Sequence, residues 1–139
     1  MALSLQDVGL AVKRLQWRHH REANRRLAPL GLTLAQWDVL RHLHNQPDAS
    51  LHDLAGLTFQ TDQSMGTLAG RMVDRGLLER RNGAGRAVKH ALTATGEQLR
   101  EQGSEAVTDV MASTLGRLSK SELATLYKLL RTAGAEDDF

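Results

Sequence analysis

The sequence predicts a mainly α, α+β fold in which a helix-turn-helix is followed by a two-stranded wing and flanked by long helices. Three observations predict it. Apolar residues recur at three-and-four spacing over most of the 139 residues, the mark of amphipathic helices. Two short helical stretches lie back to back between Ser50 and Gly76, joined by a tight turn. The period then changes on either side of Asn82-Gly83-Ala84-Gly85, a glycine-rich turn suited to a β-hairpin. The length fits one domain over 1–139, and no repeat, low-complexity segment or linker interrupts it.

The first helix, about 5–30, carries Leu5, Val8, Val12, Leu15, Ala23, Leu27 and Leu30 on one face, with His19 in the same stripe. Pro29 and Gly31 stop it. Thr33 followed by Gln36 is a capping-box signature for a second helix reaching about His44, with Trp37, Leu40 and Leu43 inward. Ser50 and Asp53 open a third helix bearing Leu51, Leu54, Ala55 and Leu57. Thr61 caps a fourth, with Met65, Leu68, Ala69, Met72 and Val73 inward and Gly76 as its C-terminal glycine.

Strands are expected at 77–81 and 88–93. Gly96 then starts a long helical segment whose spaced apolar positions are Leu99, Ala106, Val110 and Leu118. Ser119 and Glu122 cap a last helix with Leu123, Leu126, Tyr127 and Leu130, and a frayed end follows Gly134. The helices at about 5–30 and 96–134 form one lobe, and the winged helix-turn-helix at about 33–95 forms the other.

Composition removes several function classes. With no cysteine, disulfide scaffolds, cysteine-based zinc sites and thiol redox sensing are excluded. No run approaches the roughly 18 apolar residues of a membrane span, and the first residues lack the basic-then-apolar order of a secretory signal, so a cytoplasmic protein is expected. The net charge is only +2, but cations cluster. Residues 13–26 hold six against Glu22, and residues 61–90 hold six against Asp62, Asp74 and Glu79. The first cluster, taken alone, reads as a solvated helix face.

The second cluster has context, because the second helix of a helix-turn-helix enters the major groove of double-stranded DNA. Asp62, Gln63, Ser64 and Thr67 lie opposite the Met65, Leu68 and Met72 stripe and point out of the fold. Gln63 is the candidate base reader, since its amide pairs bidentately with adenine. Ser64 and Thr67 suit either base or phosphate, and Arg71 suits phosphate. Arg86, just past the wing turn, suits the narrow minor groove, with Arg80, Arg81 and Lys89 on flanking phosphates. Alternatively, the wing cations keep an edge hairpin soluble. Gly66 and Gly70 inside the helix require either close packing on a neighbour or close approach of the backbone to DNA.

These residues resemble the multiple antibiotic resistance (MarR) regulators over nearly the whole chain. The resemblance is carried by Leu32-Thr33-Leu34-Ala35-Gln36-Trp37-Asp38-Val39-Leu40, by Leu54-Ala55, by Arg71 through Arg80, and by Leu92-Thr93-Ala94-Thr95-Gly96, in that order and spacing. It implies a transcriptional regulator, expected to repress, in which a wing Asp-x-Arg motif orients an arginine into the minor groove. Arg86 matches the arginine, and Ala84 stands in place of the aspartate. The resemblance also implies a homodimer built from the first, fifth and sixth helices and bound to a pseudo-palindrome. Leu5, Val8, Leu115, Leu118, Leu123, Leu126 and Leu130 are the candidate interface, because the C-terminal leucines exceed what a peripheral helix needs.

Members of that family often release DNA on binding a small aromatic or phenolic anion. The candidates here are Trp17, His20, Arg21 and Trp37, with His19 near them; alternatively both tryptophans belong to the core or the interface and His19 is a satisfied, partly buried histidine. No cofactor is expected. His42 and His44 point about 200° apart on one helix and cannot chelate one ion together. An enzyme would need a nucleophile with its base or paired acids in a cleft, and His19-His20 with Glu22 is a poor candidate because adjacent residues face different ways. A winged-helix module that binds only protein is the remaining alternative, against which Arg71, Arg80, Arg81 and Arg86 argue.

Overall fold

Short polar side chains set the helix starts. In the computed structural model, which describes residues 2–82 and 88–134, Ser4 with Asp7, Thr33 with Gln36 and Ser50 with Asp53 each close a reciprocal capping box. Ser119 and Glu122 do the same at the last helix. The elements run α1 (Leu5–Leu27), α2 (Leu34–Asn45), α3 (Leu51–Leu57), α4 (Asp62–Asp74), β1 (Leu78–Asn82), β2 (Val88–Leu92), α5 (Ala94–Ala112) and α6 (Lys120–Gly134). Short 3₁₀ turns at Ala28–Leu30 and Leu115–Arg117 follow α1 and α5.

One core joins the winged helix-turn-helix to the long helices. Leu27 of α1, Trp37, Leu40 and Leu43 of α2, Leu54 of α3, Met65 and Met72 of α4, Leu77 and Leu78 beside β1 and Val107 of α5 are all buried together. Burying each such side chain contributes about 1.5–3 kcal/mol, so this cluster dominates the fold's stability. Trp37 anchors it: the ring is 7% exposed, and its indole N–H donates to the Arg100 carbonyl at 3.1 Å. Gly103 of α5 faces that ring so closely that a Cβ there would overlap the indole.

The wing is an antiparallel pair in the register Leu78↔Leu92, Arg80↔His90 and Asn82↔Val88. Leu78 and His90 are buried on its inner face. Lys89 ties the wing to the helices, its ammonium donating to the Asp48 carbonyl in the α2–α3 turn at 2.7 Å. Along α1, His19 pairs through Nε2 with the Thr114 hydroxyl at 2.6 Å, the satisfied histidine expected of that stripe. Burial, with Arg18 adding to it, holds this imidazole below its usual pKa.

Two expectations need correction. Leu118 does not belong to the helix opened at Thr93: α5 ends at Ala112, and Leu118 is extended, beyond the 3₁₀ turn that contains Leu115. Close packing does not explain Gly66, because a Cβ added there would meet nothing within 4 Å; at Gly70 it would reach only the Arg80 guanidinium, at 3.8 Å.

The terminal helices present apolar residues outward. Leu5 and Val8 on α1 and Leu123 on α6 are exposed, while Leu115, Leu118, Leu126 and Leu130 are half-buried. No residue of α6 is buried within the chain.

Candidate nucleic-acid interface

The outward side of α4 forms the candidate face. Thr61 caps the helix, its hydroxyl accepting from the Ser64 N–H at 3.0 Å, and the inward stripe of Met65, Ala69 and Met72 fixes the helix's rotation. Gln63, Ser64, Thr67 and Arg71 consequently stand on the opposite side, all exposed. With Gln60, Thr61, Leu68 and Ala35 at the start of α2 they line one shallow, open depression. The sequence-expected readers are thus brought together on a single surface.

Local hydrogen bonds prepare some of these side chains. The Ser64 hydroxyl donates to Gln60 Oε1 at 3.1 Å, and Gln60 Nε2 donates to the Thr58 hydroxyl at 3.0 Å. Thr67 donates its hydroxyl to the Gln63 carbonyl at 3.1 Å, and its oxygen can still accept. Gln60 was not among the sequence candidates. It precedes the helix and has no place in a periodic pattern, so only its partners reveal it.

The wing cations differ from one another. Arg80 lies beside Gly70 of α4, placing its guanidinium next to the outward face. Arg81 bonds the Glu79 carboxylate on its own strand, Nε to Oε1 at 2.8 Å, which offsets its charge locally. Lys89 donates its ammonium to the Asp48 carbonyl, in an exposed bond. Arg86 and Ala84 lie outside the described residues.

A histidine–carboxylate pair unmarked in the sequence spans α3 and α4. His52 Nδ1 is 3.0 Å from one oxygen of Asp62 and 3.2 Å from the other, and the bond raises the imidazole above its usual pKa. Asp62 is the first residue of α4, where its carboxylate suits the positive end of the helix dipole but opposes an approaching phosphate.

The aromatic candidates separate into two places. Trp17 is 59% exposed on α1 and stacks on His20, ring centroids 5.9 Å apart at 19°. Arg21, one turn beyond Trp17, shares that exposed face. Asn24 joins this cluster to the other lobe, its amide nitrogen donating to His20 Nε2 at 3.1 Å while its oxygen accepts the Leu34 N–H at the start of α2, 2.8 Å. Trp37 stands apart, enclosed in the core.

A helix-turn-helix whose second helix bears an outward row of amide, hydroxyl and guanidinium groups, backed by a two-stranded wing, defines a winged helix-turn-helix regulator. The chain belongs to the MarR family. That family's model matches residues 30–87. Over 117 residues the chain is 31% identical to the HTH-type transcriptional repressor Rv2887 of Mycobacterium tuberculosis, covering 83% of this chain and 84% of that one. The crystal structure of Rv2887 with p-aminosalicylic acid is similar at TM-score 0.75 and 29% identity, covering 95% of this chain and 99% of the other. The crystal structure of Rv2887 with DNA is similar at TM-score 0.75 and 27% identity, covering 96% and 99%. Among the described residues no helix is long and apolar enough to cross a membrane.

Proposed function

We propose that this chain is a homodimeric repressor that reads a pseudo-palindromic duplex through Gln63, Ser64, Thr67 and Arg71 and releases it on binding a small aromatic acid. The observation that carries the reading is the shared outward depression that these residues line along α4. Gln63 is the base reader, Ser64 and Thr67 serve base or phosphate, and Arg71 and Arg80 serve phosphate. The relative Rv2887, a named repressor crystallised with DNA, supports the DNA partner.

Dimerisation covers the apolar faces of α1 and α6, Leu5, Val8, Leu123, Leu126 and Leu130 among them, since no residue of α6 is buried in its own chain. Residues about 5–30 and 96–134 are the dimerisation lobe, and about 33–95 the reading lobe. Rv2887 with p-aminosalicylic acid supports an aromatic-acid effector, and Trp17, His20 and Arg21 supply ring-stacking and cationic groups for one. The protein acts in the cytoplasm and catalyses no reaction.

The test is selection of bound duplexes from a random pool by the full chain, repeated with p-aminosalicylic acid. An enriched pseudo-palindrome whose binding weakens steeply with salt is expected. Failure to enrich any sequence, or affinity indifferent to salt, overturns the DNA-reading function; retention on DNA at saturating p-aminosalicylic acid overturns that effector.

A further inference from the structure

Three helical segments of the chain end in the same hydrogen-bonded cap. After the first 3₁₀ turn, Leu32 N–H bonds the Leu27 carbonyl at 3.2 Å and Gly31 N–H bonds Ala28 at 2.9 Å. After α4, Leu77 N–H bonds Met72 and Gly76 N–H bonds Val73, both at 2.9 Å. After α3, Gln60 N–H bonds Ala55 at 2.8 Å and Phe59 N–H bonds Gly56 at 3.3 Å. Each is a Schellman cap, which places its penultimate residue in the left-handed region. Gly31 and Gly76 occupy that position with φ 73°, as expected where a Cβ is unfavourable.

Phe59 occupies the third with φ 58°, the one non-glycine residue of positive φ among the described residues. A bulky ring in this conformation is disfavoured. The cap's two hydrogen bonds hold the backbone there, but no packing of the ring against the described residues offsets the strain, because Phe59 is 95% exposed. A residue that is both strained and uncovered has its use in a contact made with another molecule.

Its position identifies the partner. Phe59 stands two residues before Thr61, the cap of α4, and immediately before Gln60, which lines the depression with Gln63, Ser64 and Thr67. The N-terminal residues of a recognition helix contact base edges in the major groove, and Phe59 lies just before them. The apolar group that a duplex displays there is the thymine methyl. The apolar faces available to a second copy of the chain lie instead on α1 and α6.

We propose that Phe59 is a specificity contact, its ring packed on the methyl group of a thymine in the half-site that α4 reads. This rests on the DNA-binding reading above. In duplexes selected by the full chain, each thymine is replaced in turn by deoxyuridine, which removes only the methyl group. The wild type should lose about fourfold in affinity at one thymine per half-site, the share of one buried methyl. Phe59→Gly should bind the thymine duplex correspondingly more weakly, be indifferent to deoxyuridine at that position, and melt at the same or a higher temperature.

Phe59→Asn, which tolerates the left-handed backbone, should behave likewise. Unchanged affinity in both variants overturns the proposal, as does a loss equal on thymine and deoxyuridine duplexes, which would place the ring on the sugar–phosphate backbone. A lowered melting temperature in both variants also overturns it, since the ring would then be covered within the protein assembly. If the wild type selects no sequence, the DNA-binding reading falls first and this proposal with it; selection that survives with Phe59 replaceable overturns this proposal alone.

Discussion

His52 of α3 and Asp62 of α4 share one hydrogen bond across the helix-turn-helix, Nδ1 to carboxylate at 3.0 and 3.2 Å. The pair stands at the start of the face proposed to meet phosphate, so its net charge matters. With His52 neutral the pair carries one negative charge; with His52 protonated it carries none. Asp62 raises the imidazole's pKa above its ordinary value of about 6.5, and the nearby Asp53 adds to the effect. DNA affinity should therefore be greatest below that raised pKa and fall as pH rises through it. Binding isotherms from pH 5.5 to 8.5 should show this decline in the wild type and a flatter profile in His52→Gln. Asp62→Asn should bind more tightly at the alkaline end.

Gln63 and Arg71 lie two helical turns apart on the same outward row and should fail differently. Gln63→Ala should relax discrimination at one base position by about 1–3 kcal/mol, while Arg71→Ala should weaken all duplexes alike and flatten the salt dependence. Competition binding with single-base variants of the selected duplex separates the two. An unchanged preference in Gln63→Ala would remove it as the base reader.

Gly103→Ala tests the junction between the lobes. The added methyl overlaps the Trp37 ring, whose indole is already fixed by the Arg100 carbonyl, so either α5 or the ring must move. Overpacking of this kind costs about 1–3 kcal/mol. Thermal or denaturant unfolding should show it, and Gly66→Ala, which meets open space, should not destabilise the free protein.

His90 governs a stability change with pH. Burial, assisted by the charge of Arg80, lowers its pKa in the folded wing. The unfolded chain then binds the proton more readily, so the contribution is complete above about pH 6.5 and declines as pH falls below it. His19 and His42, also lowered chiefly by burial, act in the same direction. Denaturation midpoints at pH 7.5 and 5.5 should differ, and His90→Leu should narrow the difference.

Much of this architecture is legible in the residues, because local chemistry and packing agree. Thr33–Gln36, Ser50–Asp53 and Ser119–Glu122 each announce a helix start, and each forms the expected capping box. The period of Met65, Ala69 and Met72 fixes which side of α4 faces out. What periodicity does not reveal is partnership across distance. No pattern in the residues shows that Lys89 meets the Asp48 carbonyl or that Gly103 lies against the Trp37 ring. Asn24, an ordinary polar residue within a helix, becomes the link between His20 and the first turn of α2 only once the helices cross. Spacing alone carries Leu118 onto α5, because Gly116 and the 3₁₀ turn do not interrupt the apolar pattern.

The exposed leucines of α6 carry a consequence for dosage. A helix of 15 residues, none of them fully buried in its own chain, gains little order from itself in water. On the dimer reading, its order comes from the second copy, so folding and pairing are one equilibrium governed by mass action. Dilution then removes helix as well as partner, and operator occupancy rises with roughly the square of chain concentration below the pairing threshold. A cell holding such a regulator near that threshold could switch its target by a small change in synthesis rate, with no effector present.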